Sequence, residues 1–277
     1  MSKNLQLRKF NMSDIKDDKV VVFIGKRETG KSFLVRDLLY HNQNIPCGTV
    51  ISGTEGSNQF FSKIFPALFI HGEYKPELIS NFMKRQKMVL NELDKQKKKN
   101  GSSNIDPRAI IILDDCLYDN SWTKDKNIRS LFMNGRHYKA MFLITMQYSL
   151  GIPPNLRTNV DFVFILRESY ISNRKRLYES YAGMFPSFDM FCQVMDQCTE
   201  NFECLVINNN SKSNKIEDMV FWYKAEERPN FKLGDPIFWK HHTDNFSEEQ
   251  NENDLDDEDL VWLKNKNKPK INVNKLF

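Results

Sequence analysis

The sequence predicts an α/β fold in which a mainly parallel central sheet carries helices on both faces. Three observations predict it. Short, nearly continuous apolar runs recur along the chain. Segments of helical character lie between them. The first run leads straight into a glycine-bounded loop and a helix. Strands that are apolar on both faces belong to a sheet covered on both sides, and alternation of such strands with helices is the pattern of parallel crossovers.

The apolar runs are Val20–Ile24, Thr49–Ser52, Leu68–His71, Ala109–Leu113, Ala140–Thr145, Phe162–Leu166, Cys204–Ile207 and Met219–Tyr223. Helices are expected from Lys31 to about His41, from Pro76 to about Lys99, from about Lys126 to Gly135 and from about Ser172 to Ala182. In the second helix Ile79, Phe82, Met83, Leu90 and Leu93 roughly share one face. Lys84, Arg85, Lys87, Lys95, Lys97, Lys98 and Lys99 make its second half basic. That half is either a solvated end with favourable charge at its C-terminus or a contact for a nucleic-acid backbone. Asn100-Gly101-Ser102-Ser103-Asn104 then breaks the helix. Residues 208–215 form a polar hairpin loop between the last two strands.

The chain has 277 residues, 40% of them hydrophobic and 21 of them Phe, enough for a sizeable core. It divides into a folded domain over 1–243 and a polar tail over 244–277. Residues 244–259 hold nine acids and no Lys or Arg, and residues 260–277 hold five Lys and no acid. The tail composition is that of a disordered segment, interrupted by Leu255, Leu260, Val261, Trp262 and Leu263, which can form a short docking helix. A basic body fits a nucleic-acid partner and equally fits an ordinary protein with a solvated tail. The five cysteines, Cys47, Cys116, Cys192, Cys198 and Cys204, include no C-x-x-C and match no zinc module, so reduced thiols in a reducing compartment are expected. No apolar run approaches the roughly 18 residues of a membrane span, and no secretory leader opens the chain; a soluble intracellular protein is expected.

The loop after the first strand reads Gly25-Lys26-Arg27-Glu28-Thr29-Gly30-Lys31-Ser32, a complete G-x-x-x-x-G-K-[ST] string. Strand, glycine-bounded loop and helix together are the context in which that string is a phosphate-binding P-loop, the Walker A motif. Gly25 and Gly30 let the backbone turn about an anion. The amides from about Arg27 to Ser32 point into one concavity, where the helix N-terminus adds its dipole. Residues Gly25, Lys26, Arg27, Glu28, Thr29, Gly30, Lys31, Ser32 and Phe33 are therefore expected to bind ATP. Lys31 reaches the β- and γ-phosphates, and Ser32 completes a magnesium shell.

A P-loop needs a second acid near its metal, presented at the end of a neighbouring strand. Ala109–Leu113 ends in Asp114-Asp115, a Walker B-like pair in which Asp114 suits the metal and Asp115 suits polarising the attacking water. Gln147, just past the strand Ala140–Thr145, is placed to touch the γ-phosphate or the water. Arg136 and Arg157 are candidates for an arginine finger. His137 reads as structural.

With these residues the chain resembles the virion DNA-packaging ATPases of nucleocytoplasmic large DNA viruses, a branch of the FtsK–HerA superfamily. The resemblance covers roughly residues 15–225. It rests on Gly25–Ser32, Asp114-Asp115, Gly135-Arg136-His137-Tyr138 leading to Thr145-Met146-Gln147, and the stretch from Ile152-Pro153-Pro154 through Arg157-Thr158-Asn159 to Asp161. It implies a RecA/FtsK–HerA-like fold, Lys31 and Ser32 on phosphate and Mg2+, Asp114 as the metal-side acid and Asp115 as the water-activating acid. It further implies Gln147 as γ-phosphate sensor and Arg136 acting across a subunit boundary. Such enzymes are ring-shaped multimers, usually hexamers, that hydrolyse ATP to drive double-stranded DNA through a channel. They work in the host cytoplasm and the virion, with capsid or inner-membrane virion proteins as docking partners. Much of the superfamily has Asp-Glu where this chain has Asp-Asp, so a shorter base must sit closer to the water. The last 50 residues match nothing in that family. The rival readings are a P-loop nucleotide kinase, with Arg174-Lys175-Arg176 as the nearest candidate for a lid, and a nucleotide-gated assembly factor with negligible turnover.

Overall fold

The eight apolar runs all become strands of one sheet, as a computed structural model describing residues 5–116, 120–148 and 151–246 shows. In chain order the first half comprises β1 (Val20–Ile24), α1 (Lys31–His41), β2 (Gly48–Ser52), α2 (Glu55–Asn58), β3 (Ile70–His71), α3 (Pro76–Asn100) and β4 (Ala109–Asp114). There follow α4 (Lys126–Asn134), β5 (Ala140–Met146), α5 (Pro154–Arg157), β6 (Phe162–Ile165), α6 (Ile171–Tyr181) and α7 (Phe188–Cys198). The last described elements are β7 (Glu203–Asn208), α8 (Ile216–Met219), β8 (Val220–Lys224) and α9 (Pro236–Asn245). Residues from 247 on, with the tail's predicted docking helix, lie outside the described residues.

The strand order is β3-β2-β4-β5-β1-β6-β7-β8. The first six strands of that order run parallel; β7 and β8 are antiparallel to their neighbours. Every residue of β1, β5 and β6 is buried, because helices cover both faces and no strand position is left for a solvated side chain. The core is built from β-branched and aromatic residues, among them Val21, Val22 and Phe23 of β1, Ile110, Ile111 and Ile112 of β4, and Phe142 of β5. The first ends of β5 and β1 are laced by the Phe142 N–H donating to Lys19 at 2.9 Å.

Among the described residues, five helices were not expected from the sequence: the four-residue turns α2, α5 and α8, and the longer α7 and α9. α7 opens on Ser187, whose hydroxyl oxygen accepts the Met190 N–H, and buries Phe191, Val194 and Met195 on one face. α9 closes the described chain. The expected strand at Leu68–His71 is shortened to two residues, because Ala67–Phe69 takes a 3-10 turn after Pro66.

The chain beyond β8 does not stop at that edge. Residues 225–246 cross α1 and reach the loops beside β2 and β3. The Arg36 guanidinium donates to the carbonyls of Arg228 and Pro229 and to the Asn230 side chain. Asp37, fully buried on α1, accepts the Tyr223 hydroxyl at 2.5 Å, the Arg228 Nε at 2.7 Å and the Glu226 N–H at 3.0 Å. Farther on, the Leu233 N–H donates to Ile64, the Asp235 N–H to Pro46, and Phe238 packs on Phe69. A buried carboxylate with three donors is satisfied, so Asp37 serves as the strap's anchor.

Candidate functional site

The parallel strands β4, β5 and β1 are neighbours, and their register brings Asp114, Thr145 and Phe23 level. The segments that leave these strands at their C-terminal ends are therefore adjacent. They are the P-loop, the Asp114-Asp115 pair and Gln147.

The P-loop's local conformation follows from its glycines. Gly30 has φ 106°, a region that L side chains avoid. A Cβ on Gly25 would stand 2.7 Å from the Thr29 hydroxyl and 2.8 Å from Leu166 Cβ, so only glycine fits. Glu28 also has positive φ, 63°. The Thr29 hydroxyl closes the loop on the Lys26 carbonyl at 2.7 Å. Lys31 is buried, and its ammonium donates to the carbonyls of Gly25 at 2.6 Å and Lys26 at 3.2 Å, with Asp115 Oδ2 at 3.7 Å. Burial lowers the Lys31 pKa, and Asp115 and Asp114 oppose that shift. Ser32 and Phe33 are exposed at the helix N-terminus.

Asp114 is gripped by hydroxyls. Ser52 donates to its Oδ2 at 2.7 Å and Thr145 to its Oδ1 at 2.7 Å, with Thr54 at 3.4 Å. Burial raises the Asp114 pKa, and the Thr145 and Ser52 hydroxyls only partly offset it. Asp115 sits at φ 45°, its N–H donating to Thr145 Oγ1 at 3.1 Å. That turn swings the second carboxylate toward Lys31 and Gln147, whose Nε2 donates to Asp115 Oδ2 at 3.3 Å. The Ser52, Thr54 and Thr145 hydroxyls were not assigned roles by the sequence reading. The only signal for them is their position at the ends of β2 and β5.

Glu168, beyond β6, also escaped the sequence reading. Its carboxylate takes Lys26 at 2.6 Å, the Tyr170 N–H at 2.8 Å and Asn173 at 3.0 Å. Burial works to raise its pKa, but Lys26, the Tyr170 amide and Asn173 outweigh that and hold it below the usual range. Lys26 also lies 3.8 Å above the Tyr170 ring. The first P-loop lysine is thus committed to the loop's own wall.

Arg136 and Arg157 are not brought to this site within one chain. Arg136 lies ahead of β5, at the sheet's other end, and its guanidinium pairs with Asp161 at 2.5 Å. Asp161 is buried and also accepts the Val20 N–H at 2.9 Å, with Lys19 at 3.6 Å. The strand β1, five residues long, separates Val20 from the P-loop by about 16 Å at a rise of about 3.3 Å per residue. Arg157 ends α5 and lies over the Tyr181 ring at 5.5 Å, its Nε buried without a hydrogen-bond partner among the described residues. Arg174, the kinase-lid candidate, is tied on α6 to Asp196 and the Glu168 carbonyl. The basic second half of α3 is exposed from Lys95 to Asn100 except at Gln96.

Among the described residues no cluster of three or more His, Cys, Asp or Glu is arranged to hold a metal alone. The donor set at the P-loop suits magnesium all the same. Mg2+ is held by one or two carboxylates and hydroxyls together with substrate phosphates, and Asp114 with Ser32 can supply the protein's share. The described cysteines are free thiols. No helix among the described residues is long and apolar enough to cross a membrane.

The sheet order, the glycine-bounded loop and the paired acids define the fold and site of a P-loop NTPase. The chain is 40% identical over 274 residues to uncharacterized protein L437 of Acanthamoeba polyphaga mimivirus, covering 97% of this chain and 95% of the relative. It is 42% identical over 218 residues to uncharacterized protein 075L of Invertebrate iridescent virus 6, covering 78% and 80%. The chain belongs to this family of viral proteins. Among solved structures, the genome packaging NTPase B204 of Sulfolobus turreted icosahedral virus 2, in complex with AMP, shares the fold with a TM-score of 0.51 at 13% identity, over 77% of this chain and all of that one. No family model matches the chain.

Proposed function

We propose that this chain is an ATP-hydrolysing motor that translocates double-stranded viral DNA into the capsid. The observation that carries the reading is the convergence of the P-loop, the Asp114-Asp115 pair and Gln147 at the ends of three neighbouring parallel strands. The B204 fold likeness and the viral relatives support it.

In this reading the P-loop amides and Lys31 hold the phosphates of ATP. Lys31 exchanges its contacts with the Gly25 and Lys26 carbonyls for phosphate oxygens. Ser32 and Asp114 would hold Mg2+, which supplies charge neutralisation on the phosphates when bound. Asp115, fixed through its amide on Thr145 and its carboxylate on Gln147, accepts a proton from the attacking water. Gln147 reports the γ-phosphate to Asp115 through their shared hydrogen bond. Arg136, remote from its own P-loop, completes a neighbour's site in a ring, with Arg157 as the second candidate. DNA is gripped through its phosphates, independently of sequence.

The test is the steady-state ATPase rate of the purified multimer with and without long duplex DNA, at low and moderate salt. Stimulation by duplex DNA that fades with salt is expected, and Lys31→Ala abolishes it. A DNA-independent rate, phosphate transfer to a nucleoside monophosphate, or ATP binding without turnover would overturn the translocase reading. An undiminished rate in Lys31→Ala would overturn the site.

A further inference from the structure

The connection from α7 to β7 carries a conformational anomaly at the edge of the P-loop. Glu203 N–H donates to the Glu200 carbonyl at 2.9 Å, closing a four-residue turn. Both central residues have positive φ, Asn201 at 52° and Phe202 at 64°. Two positive φ angles mark a type I′ turn, which selects Asn at its first central position and Gly at its second. Asn201 obeys that rule. Phe202 breaks it, since a bulky side chain at positive φ is strained.

Burial does not compensate for the strain. Phe202 is 65% exposed. It stands over the phosphate loop instead, its Cδ1 3.5 Å from where a Cβ on Gly30 would be. Strain retained without a packing return, beside a ligand site, is the situation in which an outlier points to function.

The direction of a bound nucleotide agrees. The metal-side acid Asp114 ends β4, two strands from β1 on one side; β7, which Phe202 precedes, lies two strands from β1 on the other. At about 4.8 Å per strand, each lies about 10 Å from the P-loop strand. A triphosphate whose γ end faces Asp114 and Asp115 must therefore extend its nucleoside toward β6 and β7. Two exposed aromatics border the loop on that side: Tyr170, whose ring is covered by the Lys26 ammonium at 3.8 Å, and Phe202, which meets Gly30 and carries no such cation.

We infer that Phe202 is the base-stacking residue of the nucleotide site, receiving the face of the purine whose phosphates lie in the P-loop. The inference rests on the nucleotide-site reading above and adds the nucleoside end to it. Stacking is tolerant of base identity because every base presents a π face, so Phe202 contributes affinity for nucleosides over bare phosphate and does not choose adenine over guanine.

The test is calorimetric titration of the wild type, Phe202→Gly and Phe202→Trp with Mg·ATP and with inorganic tripolyphosphate, together with thermal melts. Phe202→Gly is expected to weaken ATP about tenfold, to leave tripolyphosphate affinity unchanged, and to melt no lower than wild type because glycine suits the turn. Phe202→Trp is expected to keep ATP affinity and to show indole quenching with ATP but not with tripolyphosphate. Unchanged ATP affinity in Phe202→Gly, or a parallel loss of tripolyphosphate, would overturn the stacking role. Failure of the nucleotide-site reading looks different: the wild type would then bind neither ligand.

Discussion

The Thr145 hydroxyl donates to Asp114 at 2.7 Å and at the same time accepts the Asp115 N–H at 3.1 Å. One side chain therefore favours the ionised form of the first acid against its burial and fixes the backbone direction of the second. Thr145→Val removes both links with little change of shape. We expect it to cost about 1–3 kcal/mol of stability through the partners left unpaired. The ATPase rate should fall by about tenfold or more while ATP affinity holds. A kcat equal to wild type would show that Thr145 positions nothing that matters to turnover.

Asp114 leads to a pH prediction. Burial raises its folded pKa, so its contribution to stability is present at low pH and is lost as pH rises through that folded value. Metal binding has the opposite demand, since Mg2+ needs the ionised carboxylate. The thermal stabilisation given by Mg·ATP should therefore disappear, as pH falls, at a higher pH than an ordinary carboxylate would give. Asp114→Asn should raise the melting temperature of the ligand-free protein and lose the Mg2+-dependent part of the ATP-induced shift. Melting curves across pH, with and without Mg·ATP, check both.

Asp115 and Gln147 share one hydrogen bond, so their effects should not add. Asp115→Asn is expected to lower kcat about a hundredfold, the scale of a lost general base. Adding Gln147→Ala to it should cost little more. A double-mutant cycle on kcat reads the coupling, and full additivity would separate the two residues.

Arg136 has a structural partner as well as a proposed partner across the ring. Its side chain is 58% exposed but its partner Asp161 is buried and keeps the Val20 N–H and Lys19, so Arg136→Ala should cost about 1–3 kcal/mol of stability. Mixed into wild-type rings, Arg136→Ala subunits should suppress ATPase more than Arg157→Ala subunits do. Equal suppression, with folding confirmed by melting curves, would remove Arg136 from the trans role.

The strap anchor can be tested alone. Tyr223→Phe deletes one of three donors to the buried Asp37 carboxylate and should cost about 1.5–3 kcal/mol, the worth of a hydrogen bond to a charged group. Denaturant unfolding measures it, and ATP affinity should not change.

Much of this molecule is legible in the chain because its strands are buried on both faces. Runs such as Ala109–Leu113 and Ala140–Thr145 have no competing reading once a glycine-bounded loop and a helix fix the frame. The P-loop and the two acids follow from fixed local spacing. What escaped is what tertiary contact decides. Ser52 meets Asp114 only because β2 and β4 pair in register. Glu168 closes on Lys26 across 142 positions of chain. Phe202 reaches Gly30 from the far side of β6, and its strain shows only in a backbone angle. α7 carries a readable cap at Ser187, but its apolar face of Phe191, Val194 and Met195 is too short to fix a helical period by itself.

An open sheet ordinarily frays from its margins inward. Here residues 225–246 leave the β8 margin, are clamped on α1 through Arg36 and Asp37, and finish against the β3 margin. The two margins are thereby wired to the helix that starts at the phosphate loop, so neither loosens alone. Native-state hydrogen exchange should find the amides of β8 and β3 opening in one cooperative step, with Tyr223→Phe splitting that step in two. A nucleotide that steadies the start of α1 would then quiet the whole width of the sheet.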